Sequence, residues 1–280
     1  MKVTFAMIVF NTDLVLTHVL KSILPYAHKI IIVEGPVKYW QSKGFTQSTD
    51  GTIEILNYYH GWETEIYPLP VTAIHGQYNE KTEMCQAFMP HVPEDTDYLW
   101  CVDADEVFKP ETIEHVIKIL KSQRPASVGF KSHTFYGGFD RVMGGFEARH
   151  NFKRVLKYEP GCSYLDHRPP TLSSETGQHI KHVDGMYHYS YVSPRQVKEK
   201  IAYYESEIIK KGDCKENYFE NVFMKWQKQP DLTELHNNGV HEFKSVHSYT
   251  EPFTGEHPQV IQDSMEELKE KIKQQYESYL

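Results

Sequence analysis

The chain has 280 residues, of which 40% are hydrophobic and 24% charged, with a formal net charge of −8. That length fits one large α/β domain or two small ones, and the hydrophobic share supports a folded globule. The acidic balance argues against a general nucleic-acid binder, whose basic face would have to overcome it, but leaves room for a local phosphate pocket. The cysteines Cys85, Cys101, Cys162 and Cys214 are widely spaced and form no Cys-x-x-Cys. Neither a zinc knuckle nor a disulfide framework is indicated, and reduced thiols in a cytoplasmic protein are expected.

From the N-terminus, residues 3–10 read as a strand: the apolar run is too short to span a bilayer and lacks a small-residue cleavage site. Asn11-Thr12-Asp13 supplies a cap before Leu14, Val19, Leu20, Ile23 and Leu24, spaced for one helical face and stopped by Pro25. Lys29 to Gly35 is a second buried strand ending in Glu34, so the opening predicts a right-handed βαβ unit. Ser48-Thr49-Asp50-Gly51-Thr52 is a turn and cap before another short helix. Residues 65–69 read as a third strand and 79–91 as a helix.

The run from Tyr98 to Val102 then ends in Asp103-Ala104-Asp105-Glu106. An apolar, aromatic stretch of this kind predicts a strand covered on both faces. If the strand continues, Asp103 and Asp105 share a side, with small Ala104 between them. Two such carboxylates suit a hard divalent cation, magnesium or manganese, at the strand end where open parallel sheets bind ligands. The competing reading has these acids cap the helix that begins at Pro110, a role that would suit Glu106 well.

The spacing predicts a helix over 110–123 and a strand over 127–131. Residues 132–190, rich in Gly, Pro, His, Tyr and Arg, read as loops shaping a site on a rigid sheet. Helical pattern returns at 194–211, at about 216–228 and over 260–280, whose charged positions read as a solvated face. The expected division is a core over 1–190 and a helical extension over 191–280 contributing to an acceptor site.

A strand ending near Asn11, a second ending at Glu34-Gly35, the Asp50-Gly51-Thr52 loop and the Asp103-Ala104-Asp105-Glu106 strand end occur here in one order. That order resembles the GT-A glycosyltransferases, nearest to their family-two-like members, over roughly residues 1–190. The resemblance implies an α/β, Rossmann-like, mostly parallel mixed sheet flanked by helices. It also implies a metal-dependent transfer of a sugar from a nucleotide-diphosphate donor, such as a UDP-sugar, to a hydroxyl acceptor, by inversion. By resemblance Phe10, Asn11, Glu34 and Asp50 line the nucleoside pocket, Lys81 points toward the donor and Asp103 faces the ribose. Asp105 and Asp103 hold Mn2+ or Mg2+, which stabilises the departing diphosphate. A downstream histidine often completes such a metal site. His188, in Met186-Tyr187-His188-Tyr189, resembles it, with His182 as the alternative among sixteen histidines.

Arg154 resembles the arginine of a strand beneath the acceptor cleft, suited to a phosphate or carboxylate. The region beyond it departs from the family pattern. The general base that inversion needs has no clear match there, and Asp166 is the nearest acid, with Glu175 next. Two rival readings stand beside this one. A nucleotidyltransferase acting on a sugar phosphate would need a glycine-rich, basic loop after the first strand, which Asn11-Thr12-Asp13-Leu14 is not. A non-catalytic sugar-nucleotide or glycan-binding protein would have no chemical need for both Asp103 and Asp105.

Overall fold

The computed structural model describes residues 1–60, 63–64, 67–68, 70–175, 180–206 and 213–279. The first half alternates β1 (Val3–Val9), α1 (Asp13–Ile23), β2 (Lys29–Glu34), α2 (Lys38–Gln41), α3 (Thr52–His60), β3 (Val71–His75), α4 (Lys81–Phe88), β4 (Tyr98–Cys101), β5 (Glu106–Phe108) and α5 (Pro110–Gln123). Next come β6 (Ser127–Tyr136), β7 (Arg141–Met143), α6 (Phe146–Arg149), β8 (Asn151–Lys157), β9 (Tyr164–His167), β10 (Pro170–Leu172) and β11 (Ile180–Tyr191). The remainder is α7 (Pro194–Tyr204), a π-helical turn (Phe219–Met224), α8 (Lys225–Lys228), α9 (Thr233–Asn238), β12 (Thr250–Pro252), α10 (Gln259–Gln262) and α11 (Met265–Glu277). Contacts divide the chain into two compact units: residues 1–130 with 151–185, and residues 131–150 with 186–280. The divisions fall inside β6, between α6 and β8, and inside β11, so 131–150 groups with the C-terminal residues.

In the first unit β3, β2, β1 and β4 run parallel in that order, with Phe5 opposite both Ile30 and Trp100, and β8 pairs antiparallel to β4. Parallel strands need helical crossovers, which cover both faces, and this is why β1, β2 and β4 are apolar almost throughout. Trp100, fully buried, lies between Phe5 and Phe130 at centroid distances of 5.1 and 5.3 Å, with Phe108 edge-on at 5.2 Å. Helix α5 buries Ile113, Val116 and Leu120, as its spacing predicts, and ends at Arg124 in the left-handed region, φ 46°. The parallel order leaves the carboxyl ends of β1, β2 and β4 on one edge.

In the second unit β7 pairs antiparallel with β6 through Val142 and Phe135, and with β12 through Met143 and Thr250. Its core is aromatic. Tyr136 packs edge-on to Trp226 at 4.9 Å, and its hydroxyl lies 3.0 Å from that of Tyr218, which donates to the Val240 carbonyl at 2.6 Å. Helix α7 contributes Val197 and Ile201, and α11 contributes Leu268, Ile272 and Tyr276.

Several expectations need correction. The third parallel strand is β3, not 65–69, where residues 65, 66 and 69 lie outside the described residues. Of that stretch Tyr67–Pro68 pairs antiparallel with Glu63–Thr64, and pairing with β2 starts at Val71, after Pro70, whose carbonyl accepts from Ile30 N–H at 2.6 Å. The described residues of 132–190 are largely strand rather than loop. Along β6 the buried positions after Phe130 include Ser132 and Thr134 while Lys131 and His133 are exposed, so a period of two is present but written in polar residues. The stretch at 216–228 is a π-turn followed by one helical turn, and the C-terminal helix is two helices separated by Asp263 and Ser264.

Candidate active site

Strand β4 ends at Cys101, after which Val102 N–H still reaches the Ala6 carbonyl at 2.9 Å. The chain then leaves the sheet, and Glu106 N–H closes a turn onto the Asp103 carbonyl at 3.1 Å. Asp103 and Asp105 therefore sit on this turn, not on alternating strand positions. They still come together: both are half-buried about buried Ala104, and each offers a carboxylate oxygen within 4.8 Å of the other's. Helix capping does not account for these acids, because the residue preceding α5 is Lys109 and no side chain caps its first turn.

Glu106, 0% exposed, is instead a buried anchor that accepts from Asp103 N–H at 3.1 Å and from Arg154 Nε at 2.9 Å. Arg154 also donates through Nη2 to Glu106 at 2.5 Å and to Asp103 Oδ2 at 2.7 Å. Burial alone would lower the pKa of this guanidinium, but the Asp103 and Glu106 carboxylates hold it raised. Arg154 thus braces the acidic turn from below. Sequence reading suited it to a phosphate or a carboxylate beneath the acceptor cleft and did not name Glu106 as its partner, because the two positions are 48 residues apart.

The other donor-end residues gather at the ends of β1 and β2. Asn11, at φ 48°, receives Thr49 N–H on Oδ1 and donates its own N–H to Ser48 Oγ, both at 2.9 Å. Asn is among the few non-glycine residues at ease in that region. Glu34, 1% exposed, accepts from Ser48 N–H at 2.7 Å and faces His75 Nδ1 at 3.1 Å. Asp50 accepts from Thr52 N–H at 2.9 Å, the first residue of α3, and from Asp13 N–H at 3.1 Å, the first of α1. Burial pushes its pKa up, and the nearby Asp13 adds to that. Glu34 thus ties the 48–52 loop to β2, and Asp50 ties it to α1. Phe10 packs with Trp40 and Phe45, each at 5.6 Å, an aromatic cluster beside that loop.

Asp166 stands exposed on β9, with Oδ1 accepting from Arg168 N–H at 3.0 Å. Both oxygens of Glu175 accept from Lys153 Nζ, at 2.9 Å each. Next to Asp166 in the chain, sequence reading missed His167. Its Nδ1 lies 3.5 Å from Cys85 Sγ, and burial, against the pull of Asp103, lowers its pKa to about 3, so the ring is neutral. Lys81 opens α4 and contributes to the positive field that holds His167 down, together with Arg168 and Arg154. His182 is exposed on β11.

His188 belongs to the second unit, where β11 buries it among tyrosines. It neighbours a buried cluster in which His241 Nε2 lies 3.3 Å from Glu147 and Nδ1 3.2 Å from Glu242. Burial would raise the Glu147 pKa, but His241 first, then His188 and His150, hold it below the ordinary value.

Residues 46–167 match the family model described as glycosyl transferase family 2. The matched segment contains the Asp103–Asp105 turn and ends at His167. A search of the curated proteins found no match. Among solved structures, S. aureus TarS 1-349 is similar at 12% identity over 74% of this chain and 66% of that one, TM-score 0.45. Glucosyl-3-phosphoglycerate synthase from Mycobacterium tuberculosis, in complex with Mn2+, UDP and glucosyl-3-phosphoglycerate, is similar at 15% identity over 49% and 45% of the two chains, TM-score 0.33. The 4-diphosphocytidyl-2C-methyl-D-erythritol synthase from Anaerococcus prevotii is similar at 12% identity over 73% and 96%, TM-score 0.37. The chain spans just under two thirds of the first of these and under half of the second. The match covers less than half of the chain, and within it the parallel sheet presents its acidic strand end.

Proposed function

We propose that this chain transfers a sugar from a nucleotide-diphosphate donor to a hydroxyl acceptor, using a divalent metal, with inversion at the anomeric carbon. The observation that carries the reading is the family match over a segment enclosing the Asp103–Asp105 turn at the carboxyl end of a central parallel strand. The donor set fits a hard cation: two half-buried carboxylates with oxygens within 4.8 Å of each other. Asp105 leads as ligand, and Asp103 shares the ion and the ribose while Arg154 holds its other side. A divalent cation there would act as a Lewis acid on the leaving diphosphate.

Phe10, Asn11, Glu34, Asp50 and Lys81 form the donor end. Glu34 and Asp50 act through the loop they pin, and Lys81 through its charge. Asp166 is the general base: it is exposed on its hairpin, whereas Glu175 has both oxygens on Lys153. A nucleotidyl transfer is disfavoured by the β1–α1 loop. The N–H groups of Asn11, Thr12 and Asp13 already donate to Ser48, Thr52 and Asp50, so they are not available to cradle a triphosphate.

Purified protein with manganese, screened against nucleotide sugars for slow donor hydrolysis and for transfer, tests the reading. Hydrolysis of a nucleotide sugar supports it, and release of pyrophosphate from a nucleoside triphosphate and a sugar phosphate replaces it. With an acceptor in hand, Asp166→Asn should lower transfer by about 10²–10⁴-fold while donor binding persists, and the product should show inverted configuration by NMR.

A further inference from the structure

The second unit carries a cavity of about 160 Å³ lined by none of the candidate site residues. Trp226, Leu235 and Val240 form its buried floor, and Asp231, Thr233 and His236 stand exposed at its rim. Its walls are firmly set. The Trp226 indole N–H donates to Thr250 Oγ1 at 3.1 Å, and Gly137 packs so closely on the indole that a Cβ there would come within 1.8 Å of the ring. Arg141 holds Asp231 through Nη2 at 2.6 Å and the Thr250 side chain through Nε at 3.3 Å. Tyr249 backs the His236 ring at 4.9 Å.

The chemistry of this lining selects a class of ligand. The volume falls below the ~300–1,000 Å³ usual for drug-sized ligands, which limits the occupant to about one ring. An apolar floor with donors and acceptors on the rim suits a molecule that is apolar on one face and hydroxylated at its edge. The one carboxylate at the mouth is already neutralised by Arg141, so neither a cation nor an anion is specifically required. We infer that this cavity is a saccharide subsite that holds one neutral sugar ring, lying on the Trp226–Leu235–Val240 floor with its hydroxyls bonded to Asp231, Thr233 and His236. The choice of a saccharide rests on the glycosyl-transfer reading, which makes a glycan the expected acceptor. The site itself rests on the cavity.

The test is saturation-transfer NMR on the full chain with methyl glycosides of glucose, galactose and N-acetylglucosamine and with a neutral oligosaccharide, at millimolar concentration. UDP and manganese binding is measured in parallel by calorimetry. Thr233→Arg, which fills the mouth from an exposed position, should abolish the transfer signal. Asp231→Asn and His236→Ala should each weaken binding by about 3–10-fold, the size of one lost hydrogen bond. Unchanged melting and unchanged nucleotide binding in these variants show that the fold is intact. Nucleotide binding without any saccharide signal, or a signal that survives Thr233→Arg, overturns the subsite alone. A saccharide signal lost in Thr233→Arg, in a chain that binds no nucleotide, keeps the subsite and removes the transfer reading.

Discussion

Arg154 decides how the acidic turn is held. A guanidinium 7% exposed is costly to bury, and it is tolerated because Glu106 and Asp103 surround it. Arg154→Met should therefore cost about 3–5 kcal/mol in denaturant unfolding, since it strands the Glu106 carboxylate. The double variant Arg154→Met with Glu106→Leu should recover part of that loss, and a single change costing under about 1 kcal/mol would contradict the buried pairing. His167 makes a second prediction at this scale. Its pKa is lowered to about 3 in the folded state, so between there and its ordinary value near 6.5 the unfolded chain binds the extra proton. Stability from this group is complete above about pH 6.5 and is lost as pH falls toward 3. His167→Gln should flatten that part of the stability profile while leaving the neutral-pH value little changed, and an unchanged profile would place the acid sensitivity elsewhere.

At the scale of elements, β1, β2, β4 and α5 were legible because burial on both faces leaves continuous apolar runs, and the helix carries its stripe at 3.6-residue spacing. The Asp103–Asp105 pair was legible for the same reason, as an abrupt end to such a run. What escaped was tertiary. The turn at 103–106 needs Arg154 to explain it, β6 hides its alternation in Ser132 and Thr134, and the partners of Glu34 and Asp50 are backbone N–H groups that no side-chain pattern announces. Such a backbone tie gives Asp50 a role in stability as well as in the pocket. As the cap of α3 and the tie to α1, its replacement by Ala should cost about 1 kcal/mol of stability, and through the loop it should raise the donor KM more than it lowers kcat. A large kcat loss at unchanged KM would put Asp50 in the chemistry instead.

For the whole molecule, net charge constrains how a donor could be held. Among the described residues no helix is long and apolar enough to cross a membrane. The chain is acidic, with a net charge of −8, so a diphosphate must be met by local positive charge, which a bound cation would supply at Asp105. Nucleotide binding should then need that cation. Calorimetric titration of UDP into the full chain, with manganese and with chelator, measures this directly. Binding that weakens by about 10–100-fold or more on chelation, and equally in Asp105→Ala with manganese present, is the predicted result. Equal affinity under all of these conditions would contradict the metal-dependent site.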